Sequence, residues 1–334
     1  MRVFKYRSGS SNTLRRDIRS LYRNEIYAAP IDSLNDLFEA RVTVNGETFN
    51  VGLLLSNLGL INYTYKIREA EATFISTLRE LVVTAKRWGV YSLSKTAVDE
   101  LLWAYYGDSH RGFCIEYELD QLISYKLETQ SRIAVAYHDD VPKIGLADLS
   151  SLGKSHEKLA TKLIGTKSKR WSHESEIRVV TGESGLYEYD FRAVKSIYFG
   201  ARSSANLRRR IMRAMAGRGL DYYEVRADGE TYRLKRVVLP DQFGDRPRYR
   251  SRCAPIEDGV PYWDDTISPH RASILKAMEI VRREPYCERV VDAYLSQRGT
   301  AENPVYYVTY ERSDGQTRNH HISQSELDSY RSDA

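Results

Sequence analysis

The sequence predicts an α+β fold, with a larger domain over residues 1–239 and a small α+β accessory region over residues 240–334. Strand-like and helix-like segments interleave along residues 1–200, without the regular alternation or the glycine fingerprint of a dinucleotide-binding doubly wound sheet. A connector rich in proline and arginine, residues 240–261, then precedes a helical segment and a hairpin pattern. A chain of 334 residues is long enough for one large or two ordinary domains.

Short-range patterns predict each element in turn. Alternating apolar and polar residues indicate strands, and apolar residues at helical spacing indicate helices. Strands are predicted at residues 3–7, 25–28, 89–94, 112–118, 133–137, 176–181 and 196–199. Helices are predicted at residues 14–23, with Ser11, Asn12 or Thr13 as N-cap, and at residues 65–85, 98–106, 156–164 and 268–296. Asp228-Gly229 and Asp314-Gly315 indicate hairpin turns within residues 220–238 and 305–322.

The segment over residues 31–39 is polar and rich in Asn and Asp, which predicts a turn that leads into an acidic stretch. Side chains of Asn35 and Asp36 suit hydrogen bonds to their own main chain. A structural role in the turn and a ligand contact are therefore both open for these two residues.

Composition narrows the class of protein. A hydrophobic content of 42% and a charged content of 28% are typical of soluble globular proteins, and no apolar run reaches the length of about 18 residues that spans a bilayer. The N-terminus lacks the apolar core of a secretion signal, so we expect a cytoplasmic protein that does not contact membranes. Cys114, Cys253 and Cys287 lie far apart without metal-ligand spacing, which indicates a reducing compartment and no metal site.

The net charge of +5 is unevenly distributed. Basic residues crowd the first 23 positions, a second basic cluster runs over residues 202–213, and the chain contains 25 tyrosines. Basic patches attract phosphate-bearing ligands or nucleic acids, and aromatic surface beside them suits stacking on bases. Solvated helix faces and a tyrosine-rich core would give the same composition.

The segment Trp171-Ser-His-Glu-Ser-Glu-Ile-Arg178 places two carboxylates close together in the sequence. If Glu176 opens a strand, Glu174 and Glu176 project to the same side, because strand side chains repeat with period two. Two like charges so close suit acid–base catalysis or the stabilisation of a cation. An exposed strand edge with alternating acids would show the same pattern.

Seven short blocks follow one another along residues 4–200. They are Phe4-Lys-Tyr-Arg-Ser8, Leu34-Asn-Asp-Leu-Phe-Glu39, Ser92-Leu-Ser94, Leu102-Trp-Ala-Tyr-Tyr-Gly107, His110-Arg-Gly-Phe-Cys-Ile115, Trp171-Ser-His-Glu-Ser-Glu-Ile-Arg178 and Ile197-Tyr-Phe-Gly200. In this order they resemble a bacterial family, domain of unknown function 2971. Leu37 stands where that family usually has proline, and Leu102 where it often has methionine. The resemblance does not extend into the C-terminal region.

That family is similar to the ADP-ribosyltransferase superfamily, in which one branch uses a strand arginine, a Ser-x-Ser strand and a Glu-x-Glu loop. The resemblance implies a split β-sheet core with flanking helices and NAD⁺ as the substrate. It implies that Glu176 holds the ribose hydroxyl and stabilises an oxocarbenium-like transition state, while Glu174 orients or deprotonates the acceptor. Arg7 would bind the pyrophosphate through bidentate hydrogen bonds, and Ser92 would hold the nicotinamide-side ribose.

The NAD⁺ contacts that this resemblance implies are Tyr6, Arg7, Asn35, Asp36, Ser92, Ser94, Trp103, Tyr106 and His110. Several of these residues have an ordinary structural alternative. Trp103 and Tyr106, three apart on a predicted helix, also suit burial in the core. Arg7 also suits a solvated basic arm, the two serines a polar strand face, and His110 a structural histidine.

We therefore expect a mono-ADP-ribosyltransferase that acts as a bacterial toxin or anti-phage defence effector, with an antitoxin or defence-system partner. The basic patches and the tyrosines favour a nucleic acid over a protein as its target. The C-terminal region, through residues such as Tyr306, Tyr310 and Arg312, would choose that target. The alternatives are an NAD⁺ glycohydrolase, in which water replaces the acceptor, and a catalytically silent nucleic-acid-binding or interaction module.

Overall fold

The computed structural model describes residues 1–44, 47–50, 85, 87–123, 130–144, 161–244, 253–284, 287–312 and 315–329. Within these ranges several β-sheets carry packed helices, which confirms the predicted α+β class. Most of the helix predicted at residues 65–85, the first part of the helix predicted at residues 156–164, and Asp314 lie outside the described residues.

The strands of the N-terminal part are β1 (Arg2–Arg7), β2 (Glu25–Pro30), β3 (Arg41–Val44), β4 (Glu47–Asn50), β5 (Gly89–Ser94), β6 (Phe113–Glu118), β7 (Gln130–Ala134), β8 (Ala136–His138), β9 (Lys143–Ile144), β10 (Thr166–Ser168), β11 (Glu176–Thr181), β12 (Gly185–Glu188), β13 (Val194–Phe199), β14 (Asp221–Ala227) and β15 (Leu234–Val238). The C-terminal strands are β16 (Cys287–Ser296), β17 (Val305–Arg312) and β18 (Thr317–Ser323). The helices are α1 (Ser11–Arg23), α2 (Glu100–Tyr105), α3 (Leu119–Leu122), α4 (Ala205–Ala214), α5 (Arg271–Val281) and α6 (Gln324–Ser329). Short 3₁₀ segments lie at Ile31–Ser33, Lys169–Glu174, Phe191–Ala193 and Ser268–His270.

The main sheet forks at β5. Along one edge, β5 pairs with β11 over its whole length, in an antiparallel register that sets Glu176 opposite Ser94. Along its other edge, β5 pairs with β2 at Gly89 and Val90, and with β1 at Ser94. One branch then continues from β1 through β6, β13, β14 and β15, and the other from β2 to β12. The strands β1 and β2 diverge, and α1, which connects them, borders the opening between the two branches.

Helix α1 packs its apolar face on the sheet and leaves its basic face in solvent. Leu14 and Leu21, two turns apart, are buried in one core cluster with Ile211 of α4. The helix begins after Ser10, slightly earlier than predicted, and ends at Asn24, which adopts a left-handed conformation with φ 55° that Asn tolerates. The same helix therefore contributes both core contacts and a row of arginines beside the fork.

Two glycines of the sequence blocks permit close contacts between main chains. A Cβ atom on Gly112 would lie 2.0 Å from the carbonyl oxygen of Arg7, and one on Gly200 would lie 2.3 Å from the carbonyl oxygen of His110. Any larger residue at these positions would push the chains apart. Gly112 therefore lets the end of β1, and with it Arg7, lie against β6, and Gly200 lets the chain after β13 lie against His110.

Two predicted elements differ from the structure. The strand predicted at residues 133–137 is divided, since β7 pairs with β11 while β8 pairs with β10. The single helix predicted at residues 268–296 is wrong, because α5 ends at Val281 and β16 follows it. Val290, Val291, Tyr294 and Leu295 have helical spacing in the sequence, and the strand accommodates them with an irregular register between Val290 and Asp292. The hairpins β14–β15 and β17–β18 form as predicted.

The C-terminal strands and α5 enclose a hydrophobic core of their own. This unit contacts the N-terminal part through buried polar pairs: Asn24 donates to Glu284 over 3.3 Å, and His320 lies 3.3 Å from Asp190. Both Asp190 and His320 are fully buried. In the part of the chain that the structure describes, no helix combines the length and the apolar character needed to cross a membrane.

Candidate functional site

A cavity of about 600 Å³ lies at the fork of the main sheet. Its walls come from β1, β2, β5 and β11, from α1, and from the turn that precedes β3. It brings together most of the site residues predicted from the sequence, namely Tyr6, Arg7, Asn35, Ser92, Ser94, Tyr106, Glu174 and Glu176. Residues from distant parts of the chain therefore converge on one concave surface of the size that binds cofactors.

The two glutamates enter this cavity from a turn rather than from one strand. Glu176 is the first residue of β11, whereas Glu174 ends the 3₁₀ segment Lys169–Glu174. Ser175 between them adopts a left-handed conformation with φ 44°. The expectation that strand periodicity aligns the two carboxylates is therefore wrong, although both side chains line the cavity. Glu174 and Glu176 are only 4% and 5% exposed.

Glu176 is held as an ionised carboxylate. Arg178, two residues further along β11, donates from Nε to Oε1 over 2.9 Å and from Nη2 to Oε2 over 3.1 Å. The Ser92 hydroxyl also hydrogen-bonds this carboxylate. Burial alone would raise the pKa of Glu176, but the charge and hydrogen bonds of Arg178 outweigh it and lower the pKa to about 2. The carboxylate is therefore negative throughout the physiological pH range.

Arg178 also pairs with Glu39, the last residue of the turn over residues 31–39. Its guanidinium donates to both carboxylate oxygens of Glu39 and to the main-chain oxygen of Ile164. Burial lowers the pKa of Arg178, but the charges and hydrogen bonds of Glu176 and Glu39 raise it by a larger amount, so the pKa lies above its usual value. A fully buried cation thus joins two carboxylates in a fixed bidentate geometry.

Glu174 has a different set of partners. The Tyr106 hydroxyl donates to Oε1 over 2.7 Å, and the Lys167 ammonium donates to Oε2 over 2.6 Å. Lys167 also lies 3.5 Å from Oε2 of Glu176, so one ammonium bridges both carboxylates. Ser94 fixes the turn itself, because its hydroxyl donates to the main-chain oxygen of Glu174 over 2.8 Å. Burial, followed by the bond to Glu174, raises the pKa of Tyr106.

This end of the cavity carries excess negative charge. Among the described residues there, the carboxylates of Glu39, Glu174 and Glu176 outnumber the cations of Lys167 and Arg178. Because the groups are buried, their field is weakly screened. A cationic or electron-poor group is the ligand chemistry that such an environment stabilises.

A second part of the cavity wall is basic. Lys5 and Arg7 lie two residues apart on β1, 4.7 Å and 5.9 Å from the ring centre of Tyr91. Lys5 donates to the main-chain oxygen of Ser92 over 2.8 Å, and burial, with a smaller contribution from Arg7, lowers its pKa to about 7. Arginines of α1 complete the lining at Arg16, Arg19 and Arg23. Two acids line the same region, Glu25 and Asp17, and Asp17 lies 4.0 Å from Arg7, but the cations outnumber them. This part of the wall suits an anion such as a diphosphate.

Three predicted contacts lie away from the cavity lining. Trp103 is fully buried and donates from its indole nitrogen to the main-chain oxygen of Ala97 over 2.8 Å. Asp36 is buried and accepts from the main-chain nitrogen of Phe38 over 2.9 Å, which is the structural turn role. His110 adopts a left-handed conformation, and its main-chain oxygen accepts a hydrogen bond from the main-chain nitrogen of Arg202. Their geometry favours the structural alternative for each residue.

Several residues of the cavity were not predicted from the sequence: Lys5, Glu39, Lys167 and Arg178. Two of them carried a local signal, because Lys5 shares a strand face with Arg7, and Arg178 shares one with Glu176. Glu39 and Lys167 carried none of this kind, since their contacts with Arg178 and Glu174 depend on the tertiary fold.

The predicted target contacts of the C-terminal region are not accessible. Tyr306 and Tyr310 are 1% and 3% exposed and belong to the core of that region, and Arg312 is 6% exposed. Alternation along β17 turns these side chains inward. The recognition role assigned to these three residues is therefore wrong.

No curated protein and no solved structure matches this chain. A family match begins within α2, covers β6 and the two glutamates, and ends within β11. It supports the resemblance for the segment that supplies Tyr106, Glu174, Glu176 and Arg178. Over residues 102–179 the chain is similar to the family described as Protein of unknown function (DUF2971).

Proposed function

We propose that this protein is a mono-ADP-ribosyltransferase that uses NAD⁺ as its substrate. The observation that supports the proposal most is the convergence of Arg7, Ser92, Glu174 and Glu176 on one cavity, whose wall has a basic and an acidic part. NAD⁺ has a matching polarity, because its diphosphate is anionic and its nicotinamide is cationic. The forked main sheet also fits the split sheet that the resemblance implies.

Glu176 has the properties that cleavage of the nicotinamide–ribose bond requires. The transition state carries positive charge on the ribose, and a fixed, ionised carboxylate stabilises it without reorganisation. The bidentate bond to Arg178 holds the carboxylate in place and keeps it ionised. In this proposal Glu176 also binds the ribose hydroxyl, and Arg7 and Lys5 bind the diphosphate.

Glu174 would orient the acceptor and take its proton. In the free protein each of its carboxylate oxygens accepts a hydrogen bond, from Tyr106 and from Lys167, and an acceptor would bind a remaining lone pair or replace one of these donors. The arginines of α1 at the cavity favour a phosphate-bearing acceptor, a nucleic acid rather than a protein. In this proposal the protein acts as a bacterial toxin or anti-phage defence effector with a cognate partner.

Hydrolysis of NAD⁺ is the second candidate. Both oxygens of Glu174 are engaged, and the side chains of Glu174 and Lys167 are each 6% exposed, so the acidic end is more accessible to water than to a large acceptor. The same Glu176 would stabilise the ribose cation in either reaction. The two candidates differ only in what attacks that carbon.

Incubation of the purified protein with NAD⁺ labelled in the adenine moiety, with and without cell lysate, tests the proposal. Transfer predicts labelled macromolecules together with free nicotinamide, and nuclease or protease digestion then identifies the target class. Free nicotinamide without labelled macromolecules would indicate a glycohydrolase. Intact NAD⁺ in both reactions would contradict both activities and favour a silent binding module.

A further inference from the structure

Lys167 occupies a position that an external acceptor would need. Its ammonium lies 2.6 Å from Oε2 of Glu174 and 3.5 Å from Oε2 of Glu176, between the proposed base and the proposed cation-stabilising group. The side chain is 6% exposed, and its ammonium lies 4.9 Å from the ring centre of Trp171. The amine is thus tethered within the site.

We propose that Lys167 is a self-modification site, whose amine receives the ADP-ribosyl group when NAD⁺ is cleaved in this cavity. The inference rests on the proposed function, because it needs the same cleavage of NAD⁺. It adds that the protein supplies its own acceptor. It also adds that the ADP-ribosyl group on Lys167 blocks the acidic part of the cavity in the modified protein.

The chemical step is balanced with the groups present. The bond between C1′ of the ribose and the nicotinamide nitrogen breaks, and its electron pair leaves with nicotinamide, which becomes neutral. Lys167 gives one proton to Oε2 of Glu174, and the freed lone pair on Nζ forms a bond to C1′. The product is a secondary ammonium on Lys167, with the released proton on Glu174. No oxidant, metal or further reactant takes part.

Tethering favours Lys167 over acceptors in solution. Well-oriented groups in one molecule react with effective concentrations of about 10⁵–10⁸ M, far above those of any free acceptor. The nucleophiles of the cavity that compete most directly with it are the hydroxyl of Tyr106, 2.7 Å from Glu174, and the amine of Lys5. The Lys5 amine bonds the main-chain oxygen of Ser92, whereas the Lys167 ammonium contacts both carboxylates, and Tyr106 is the weaker nucleophile at neutral pH.

The test is to incubate the full-length protein with NAD⁺ alone, measure nicotinamide release, and map adducts by peptide mass spectrometry under electron-based fragmentation. We expect one ADP-ribosyl group per chain, with Lys167 carrying at least about ten times more adduct than any other residue, as tethering predicts. Nicotinamide release should show a burst that decays as the adduct accumulates. The Lys169→Met protein is the matched control, because Lys169 is 67% exposed, pairs with Asp139 and does not line the cavity; its adduct at Lys167 should be unchanged.

Lys167→Met should lose the adduct. If that protein does not fold, Lys167→Arg keeps a cation between the carboxylates, and the peptide map of the wild-type protein decides in either case. Nicotinamide release without an adduct, or with the adduct on Tyr106 or Lys5, would overturn the inference and leave the proposed function standing. Absence of nicotinamide release would overturn the proposed function, and the inference with it.

Discussion

Replacement of Glu176 by glutamine tests its proposed catalytic charge apart from its structural one, because Glu39 offers a matched control. Arg178 binds both carboxylates in a bidentate manner, so Glu176→Gln and Glu39→Gln each remove one negative charge from the same buried guanidinium. Only Glu176 lies beside Lys167 and Glu174, at the place where the ribose cation would form. The two variants should therefore resemble each other in stability and differ in activity.

The expected magnitudes follow from these contacts. Each variant weakens one charged hydrogen-bonded pair, which is worth about 1.5–3 kcal/mol, while Arg178 keeps its other carboxylate partner. Loss of a preorganised electrostatic group that acts on the transition state lowers turnover by about 10²–10³. We thus expect Glu176→Gln to release nicotinamide at least about a hundred times more slowly than Glu39→Gln, a difference of about 2.7 kcal/mol in activation free energy.

The assay is nicotinamide release under saturating NAD⁺, beside urea unfolding of both proteins. Equal loss of stability with unequal loss of turnover would support the catalytic role of Glu176. A folded Glu176→Gln protein as active as Glu39→Gln would refute it and leave Glu176 as a structural partner of Arg178. If the wild-type protein is toxic to cells, the Glu176→Gln gene should be tolerated.

Three other predictions concern binding and stability. Arg7→Ala should weaken NAD⁺ binding by about 1.5–3 kcal/mol with little change in melting temperature; unchanged affinity in calorimetry would place Arg7 outside the site. Because the pKa of Lys5 is about 7, its amine is largely neutral at about pH 8, and a bound diphosphate should raise that pKa again. NAD⁺ binding should then take up protons and weaken as the pH rises through 7. Calorimetry in two buffers of different ionisation enthalpy measures this proton uptake. The Lys5→Met protein should show no such uptake. Burial would raise the pKa of Asp190, but Arg192 and His320 hold it well below its usual range, so its stabilisation is present above the unfolded pKa of about 3.9 and is lost as the pH falls below it. Asp190→Asn should lower the melting temperature at neutral pH and flatten its decline in acid, and an unchanged melting profile would contradict this contribution.

The elements that form the site were predictable where short-range patterns decide them. β5 and β11 occupy the residues predicted for them, since each is buried in a continuous sheet and carries β-branched or aromatic residues. Ser92, Ser94 and Glu176 therefore lie in the strands expected of them. The α+β class followed from the irregular order of such segments.

Sequence patterns could not predict the charged network around Arg178. Arg178 and Glu39 are separated by 139 positions, and their pairing depends on how the turn before β3 packs beside β11. Spacing along the chain carries no information about such a contact. The same limit applies to β16, where a segment with helical spacing forms a strand with an irregular register.

The conformation of Ser175, which caps the 3₁₀ segment Lys169–Glu174, sets the arrangement of the two glutamates. A left-handed conformation at a non-glycine residue costs about 1–2 kcal/mol, and such strain persists only where neighbouring contacts impose it. Here the main-chain oxygen of Ser175 accepts from Lys95 over 3.2 Å, and the nitrogen of Glu176 donates to the Tyr137 hydroxyl over 2.8 Å. These bonds hold the turn that brings Glu174 to Lys167 while Glu176 stays on Arg178. The alternative of an exposed strand edge with alternating acids does not fit this turn, because it keeps both carboxylates buried in one cavity.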